Sequence, residues 1–428
     1  MNQLKGFLAS ASRILFISVL ALGLTTSFIG CSEDDDDDFK VVGELVKDGG
    51  SITGTQAGSI TVAENATVTI SGKVLFASGT TFKVGKGATI KADSSAETFI
   101  IIDRGAQIDA VGTEDAPIVF TSDKAAGSRG SQDWGGIVIN GYATLNAGLT
   151  AQGEGDSGTY GGTDDTDDSG EMKYVRIEFA GKKIAATDEL NCLALQGVGS
   201  ATKLSYIQAH GGSDDGFEPF GGKVDLKYIV ATGNGDDQFD GTGGWRGNLQ
   251  FIAIATVLGD EGVEWDNSSS NNDAEPRTTI VASNVTVLVG TNAEGTSQIR
   301  VGTDATLRNF YINGNLKGND AATKINMDAS VLLEGGIFAG SETNWSGTPT
   351  ETSPSAGSYT FIGANDGLAT MAALAALKET AFNPVSGDAP AGSTPPTGDF
   401  FDASANYIGA VKNASSNWMA NWTSFPAN

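Results

Sequence analysis

The chain has 428 residues, enough for a large core, with 58 glycines but only 10 prolines. Its 52 acidic residues outweigh 26 basic ones, for a formal net charge of -26. A field of that sign repels nucleic acid and anionic lipid and favours divalent cations, so nucleic acid is excluded as a partner.

At the N-terminus, Lys5 and Arg13 precede the apolar run ILFISVLALGL (Ile14–Leu24). The run is too short to span a bilayer and reads as a secretory signal over residues 1–30. It ends in Gly30 and Cys31, followed by SEDDDDD. This junction resembles the acylation site of bacterial lipoproteins, with Phe28 where that motif usually has Leu. The Ser32–Asp38 run resembles the acidic surface-export signal of Bacteroidota-type lipoproteins. The resemblance implies lipidation of Cys31, an outer-membrane anchor, surface exposure and an acidic tether over residues 31–45. Composition alone makes that run a solvated, disordered tether, and the two readings are compatible. Stable anchoring takes more than one acyl chain.

Cys192 is the only other cysteine, and with Cys31 acylated no intramolecular disulfide can form. His210 is the only histidine, which excludes zinc sites of the Cys/His type. A Ser-His-Asp or Cys-His hydrolase would rest on that residue alone, and no nucleophile elbow accompanies it.

From residue 46 the chain repeats itself. VGKGATIKA (Val84–Ala92) matches IDRGAQIDA (Ile102–Ala110), and the pattern around Ala66 recurs around Ala88. LSYIQA (Leu204–Ala209) recurs as LKYIVA (Leu226–Ala231) and again as LQFIAI (Leu249–Ile254), at one nearly constant period. Short β-rich runs with Gly, Asp and Asn between them, and no amphipathic helix, predict a parallel β-solenoid over residues 46–345. At about 22 residues and ~4.8 Å per coil, roughly 13 coils make a rod of about 60 Å. GTEDAPIVFTS (Gly112–Ser122), WGGIVINGYATLN (Trp134–Asn146) and KYVRIEFAG (Lys173–Gly181) resemble a large family of secreted right-handed parallel β-helix proteins. That resemblance implies an all-β fold and no particular activity. Residues 150–171 interrupt the period and read as a solvated loop, whose Asp164, Asp165, Asp167 and Asp168 could bind cations.

Residues 346–400 read as a polar loop, a short helix within GLATMAALAALKETAF (Gly367–Phe382) and a Pro/Gly/Ser linker. Residues 401–428 resemble a terminal segment common in the same family. Its Tyr407, Trp418, Trp422 and Phe425 are expected to dock on the solenoid, whose ends need covering.

One constellation recurs three times: Asp214-Asp215-Gly-Phe-Glu218, Asp236-Asp237-Gln-Phe-Asp240 and Asp260-Glu261-Gly-Val-Glu264. Its steps, from Asp214 to Asp236 and on to Asp260, match the coil period, so the acids should stack on three successive coils. Alternation along a strand turns Phe217, Phe239 and Val263 inward and places Asp214, Glu218, Asp236, Asp240, Asp260 and Glu264 on the opposite face. Asp215, Asp237 and Glu261 fall on the inward side, which demands a turn or hydrogen-bond partners. Like charges ~4.8 Å apart at an effective dielectric of about 20 repel by roughly 3.5 kcal/mol. Three remedies remain open.

In the first, the acids are corner residues accepting backbone N–H bonds. In the second, they bind calcium through carboxylates and turn carbonyls. GNGDDQF fits the core of the RTX calcium loop, although the short RTX repeat period is missing. In the third they are catalytic, as paired carboxylates of a polysaccharide hydrolase or with a basic residue in a calcium-dependent lyase. The pattern faintly resembles β-helical polygalacturonases, where a His and an Arg-x-Lys pair follow the acids. Here His210 precedes them, Arg300 lacks the Lys, and Arg246 is the nearest base for a lyase. Trp245, expected at a loop, and Phe220 are candidate stacking surfaces for sugar rings, whereas Trp265 reads as core. The chain is thus expected to be a calcium-stabilised surface module, binding or structural, for a polysaccharide or surface protein, or else a polysaccharide-degrading enzyme.

Overall fold

In a computed structural model the chain winds as a right-handed parallel β-helix, and each coil contributes to three sheets. The structure describes residues 39–428 except 186–187, 258, 291–295, 319–321, 341–345, 354–367, 369, 378 and 384–386. The signal run, Cys31 and the acidic tether up to residue 38 lie outside the described residues.

The repeat spacings become hydrogen-bond register. Leu204 pairs with Leu226 and Leu226 with Leu249, and Thr67 pairs with Thr89 just after the Ala66–Ala88 match. The match between Val84–Ala92 and Ile102–Ala110 does not mark a coil. Gln107–Ala110 pairs instead with Thr81–Val84, because two sides of neighbouring coils carry similar alternating patterns. Alternate residues point inward, as in Thr81–Val84, where Phe82 and Val84 are buried and Thr81 and Lys83 are not. Pairing also continues past residue 345. Thr350–Thr352 lies parallel to Leu332–Glu334, so the last rung lies within the stretch expected to be loop.

The first two sheets meet at a corner where one residue per coil takes a left-handed conformation. Tyr174, Tyr206, Tyr228, Phe251, Asn284 and Asn309 have φ of 51–60°. Such a conformation costs a non-glycine residue about 1–2 kcal/mol. Ring stacking offsets part of that cost: centroids lie 4.4 Å apart for Tyr174–Tyr206, 4.3 Å for Tyr206–Tyr228 and 4.8 Å for Tyr228–Phe251.

The outer face of the second sheet is apolar over its middle coils, where Val230, Ala253, Tyr311 and Leu332 are buried. A helix at Met371–Leu377 and the C-terminal segment cover it. Trp422 is fully buried there and Phe425 nearly so. The segment runs along the flank of the rod rather than over an end. The third sheet includes Phe99–Ile102, Ile137–Asn140, Leu193–Gln196, Phe217–Phe220, Phe239–Gly241, Glu261–Trp265 and Thr296–Ile299. It carries the acids.

Candidate metal centre

The outward column of the third sheet changes character along the rod. Leu75 pairs with Ile101, Ile101 with Val138, Val138 with Ala194 and Ala194 with Glu218. Phe217 pairs with Phe239, which sets Glu218 beside Asp240. Asp240 pairs with Glu264, Glu264 with Gln298 and Gln298 with Lys317. The apolar part is roofed: Phe99, Ile101, Val138, Leu190 and Ala194 form a cluster outside the main core, with Phe220 packed against it.

The expected loop at 150–171 is part of this roof and not a free projection. Its Ser157 is fully buried, and Asn140 Nδ2 donates to the Ser157 carbonyl at 2.8 Å. Its aspartates serve turns and pairs. Asp165 accepts from Thr144 N and meets Arg246 at 3.1 Å, while Asp164 and Asp168 cap Thr166 and Gly170. The carboxylates there are already committed.

The three acidic motifs separate into distinct roles. Phe217, Phe239 and Val263 are buried in the core, as alternation requires. Asp215, Asp237 and Glu261, which alternation also turns inward, occupy the corner and are 7%, 6% and 1% exposed. Asn191 Oδ1 accepts from Asp215 N (3.3 Å), Asp215 Oδ1 from Asp237 N (2.9 Å) and Asp237 Oδ1 from Glu261 N (2.7 Å). Each side chain therefore caps the backbone of the next coil. Turn chemistry accounts for one oxygen of each of these aspartates, and Gln298 donates to Glu261.

The strand acids have different neighbours. Asn191 Nδ2 donates to Glu218 Oε2, and oxygens of Glu218 and Asp240 lie within 4.8 Å of each other. Glu264 is paired with Arg300, whose Nε also reaches Asp266 at 3.1 Å. Eight of the nine expected ligands form three groups whose oxygens lie within 4.8 Å of one another: Asp214, Asp215, Asp236; Asp215, Glu218, Asp240; and Asp237, Glu261, Glu264. Asp260 joins none of them.

Burial and mutual repulsion act together on these groups. Burial first, then Asp236, push the Asp214 carboxyl up to about 7 against the pull of Lys183. Burial, Asp240 and Glu264 push Asp237 up to about 9. Asp215, Glu218 and Asp240 are held well above the ordinary carboxylate range by burial, with neighbouring acids adding to it. Burial also raises Glu264, opposed by Arg300. The fold keeps protons on several of these acids near neutrality, because it supplies few compensating cations. A dense set of hard oxygen donors suits calcium.

Three expectations change. Trp245 is not at a loop surface. It is fully buried, its ring 5.7 Å from Phe239 and its Nε1 donating to Val224 O at 3.0 Å, so it cannot stack on a sugar. Phe220 is partly exposed beside the acids, with Tyr160 at 6.3 Å. His210 lies on the second sheet, fully buried between Thr232 Oγ1 (2.7 Å) and the Pro426 carbonyl (2.8 Å), and burial lowers its pKa. It is a packing residue. Arg246 is occupied by Asp165. Sequence reasoning missed Asn191 and Gln298 as partners of the ladder. Extending the column one coil in each direction would have pointed to both.

Comparisons with curated proteins and with solved structures gave no match. A family model described as a pectate-lyase-like β-helix domain matches residues 53–365. With its register, its three-sheet coil and that match over most of its length, the chain belongs to the pectate-lyase-like β-helix family.

Proposed function

We propose that this protein is a carbohydrate-binding surface module: a lipid-anchored β-helix that takes up calcium on the acidic part of its third sheet and presents that face to a glycan or surface partner. The observation that carries the reading is the set of three carboxylate groups spread over three successive coils, faced mainly by Arg300 and Lys183. Asp214, Asp215, Glu218, Asp236, Asp237, Asp240, Glu261 and Glu264 would hold the ion or ions, and Phe220 at the edge would take a sugar face. Cys31 would carry the lipid and place the module at the outer membrane. Calcium titration of the purified protein tests the reading, with a glycan panel run in calcium and in chelator. Glycan retention that needs calcium supports it, and retention indifferent to chelator argues against it.

A second reading rests on the Glu218–Asp240 pair, two carboxyls on neighbouring coils with oxygens within 4.8 Å of each other. Such a pair can divide acid and base roles in polysaccharide hydrolysis. New reducing ends from a polysaccharide, lost in Asp240→Asn, would favour the enzyme over the binding module.

A further inference from the structure

In a solenoid each coil touches only its neighbours, so coupling passes from coil to coil and one stretch can open without distant ones. The last stretch of the chain, from Ser393 through the C-terminal segment to Asn428, breaks that rule. Three amide side chains on different coils each grip one of its residues through both backbone groups. Gln208 Nε2 donates to Ser424 O at 2.7 Å and its Oε1 accepts from Ser424 N at 2.9 Å. Gln250 holds Asp402 in the same way at 3.3 and 2.8 Å, and Asn309 holds Ser393 at 2.9 and 2.8 Å. Between these clamps, Trp422 packs edge-on to Tyr174 and Tyr206, at 5.9 and 6.2 Å. At its end, the Asn428 carbonyl accepts from Gly127 N at 3.1 Å. The stretch starts at the coil of Asn309, reaches Gln250 at Asp402, returns to Asn309 at Gly409 and then crosses the remaining coils to the turn at Gly127.

We infer that this segment is a strap that couples non-neighbouring coils, so that the coils beneath it open as one unit. The clamps hold backbone groups and the rings bury against a stack shared by four coils. Opening one crossed coil alone would then break contacts the strap makes with the others. The acidic motifs at residues 214–240 lie on coils in the crossed stretch, so the strap also holds their stacking in place.

Hydrogen exchange of the full chain, read by mass spectrometry, tests this with changes confined to the strap. Ser424→Pro removes the N–H given to Gln208, and Trp422→Ala removes the ring from the tyrosine stack. In the unaltered protein, residues 172–312 should exchange as a single block. In either variant the block should separate into coils with different rates. Those nearest the lost contact should exchange about tenfold faster or more, as loss of a hydrogen bond or a buried ring implies. Residues 60–92, which lie outside the crossed stretch, serve as the internal control and should not change. Independent exchange of the crossed coils in the unaltered protein would overturn the inference. So would a block that stays single in both variants, or equal acceleration of residues 60–92.

Discussion

Raising the pH without divalent cations should destabilise this protein, in contrast to the usual gain as carboxylates ionise. Asp214 and Asp237 titrate at about 7 and about 9 in the folded chain, whereas an unfolded aspartate titrates near 3.9. Between these values the folded state holds protons that the unfolded chain has released. Stability then falls with rising pH by about 1.4 kcal/mol per unit for each held proton. The favourable contribution is complete below about pH 4. It is lost through pH 7 for Asp214 and through pH 9 for Asp237. From pH 5 to 7 both groups act in the same direction, a loss on the order of a few kcal/mol against a typical total of about 5–15 kcal/mol. Asp215, Glu218 and Asp240 shift in the same direction and deepen the fall. Calcium taken up by the ionised acids, as proposed, should flatten the curve, adding about 2.7 kcal/mol at a hundredfold excess over Kd. Urea denaturation at pH 5, 6, 7 and 8, in chelator and in calcium, measures both curves. Stability that is flat or rises with pH in chelator would refute the reasoning.

Asp237→Asn keeps an oxygen for the Glu261 N–H but removes a carboxyl whose ionisation the fold opposes. It should raise the melting temperature in chelator at pH 8 and shrink the response to calcium, both readable by calorimetry. Asp237→Ala also removes the cap on the next coil. It should cost about 1–3 kcal/mol relative to Asn in the same melts, the penalty of an unsatisfied buried donor. Trp245→Ala empties a fully buried site and should cost about 3–5 kcal/mol in urea denaturation. At temperatures where that variant is folded, glycan retention should match the unaltered protein. Cys31→Ala should abolish incorporation of labelled fatty acid and release the protein from the membrane fraction. Retention in that fraction would remove the anchor.

The architecture could be read from the sequence because a solenoid writes its geometry as a period. Leu204, Leu226 and Leu249 stack at the spacing at which they recur, and the same spacing aligned the three acidic motifs. Parity along the strand also forecast that Asp215 and Asp237 would need partners, and each accepts the next coil's N–H. Other features leave no periodic trace. The likeness of Val84–Ala92 to Ile102–Ala110 joined two segments that do not stack, because alternation looks alike on two sides of a coil. Trp245 sits among glycines that suggest a loop, but the short turn there folds its ring back against Phe239. The roof over Ala194 and the strap over Val230 depend on contacts between distant segments. An apolar outward position such as Val230 is the only local sign that something must cover it.

The most direct test of the calcium reading is a crystal grown with calcium and examined by anomalous scattering. The account predicts a peak among Asp215, Glu218 and Asp240, or among Asp237, Glu261 and Glu264, with carboxylate oxygens at about 2.3–2.6 Å from it. Carboxyls hydrogen-bonded only to one another and to backbone, with no peak on the acidic sheet, would contradict it.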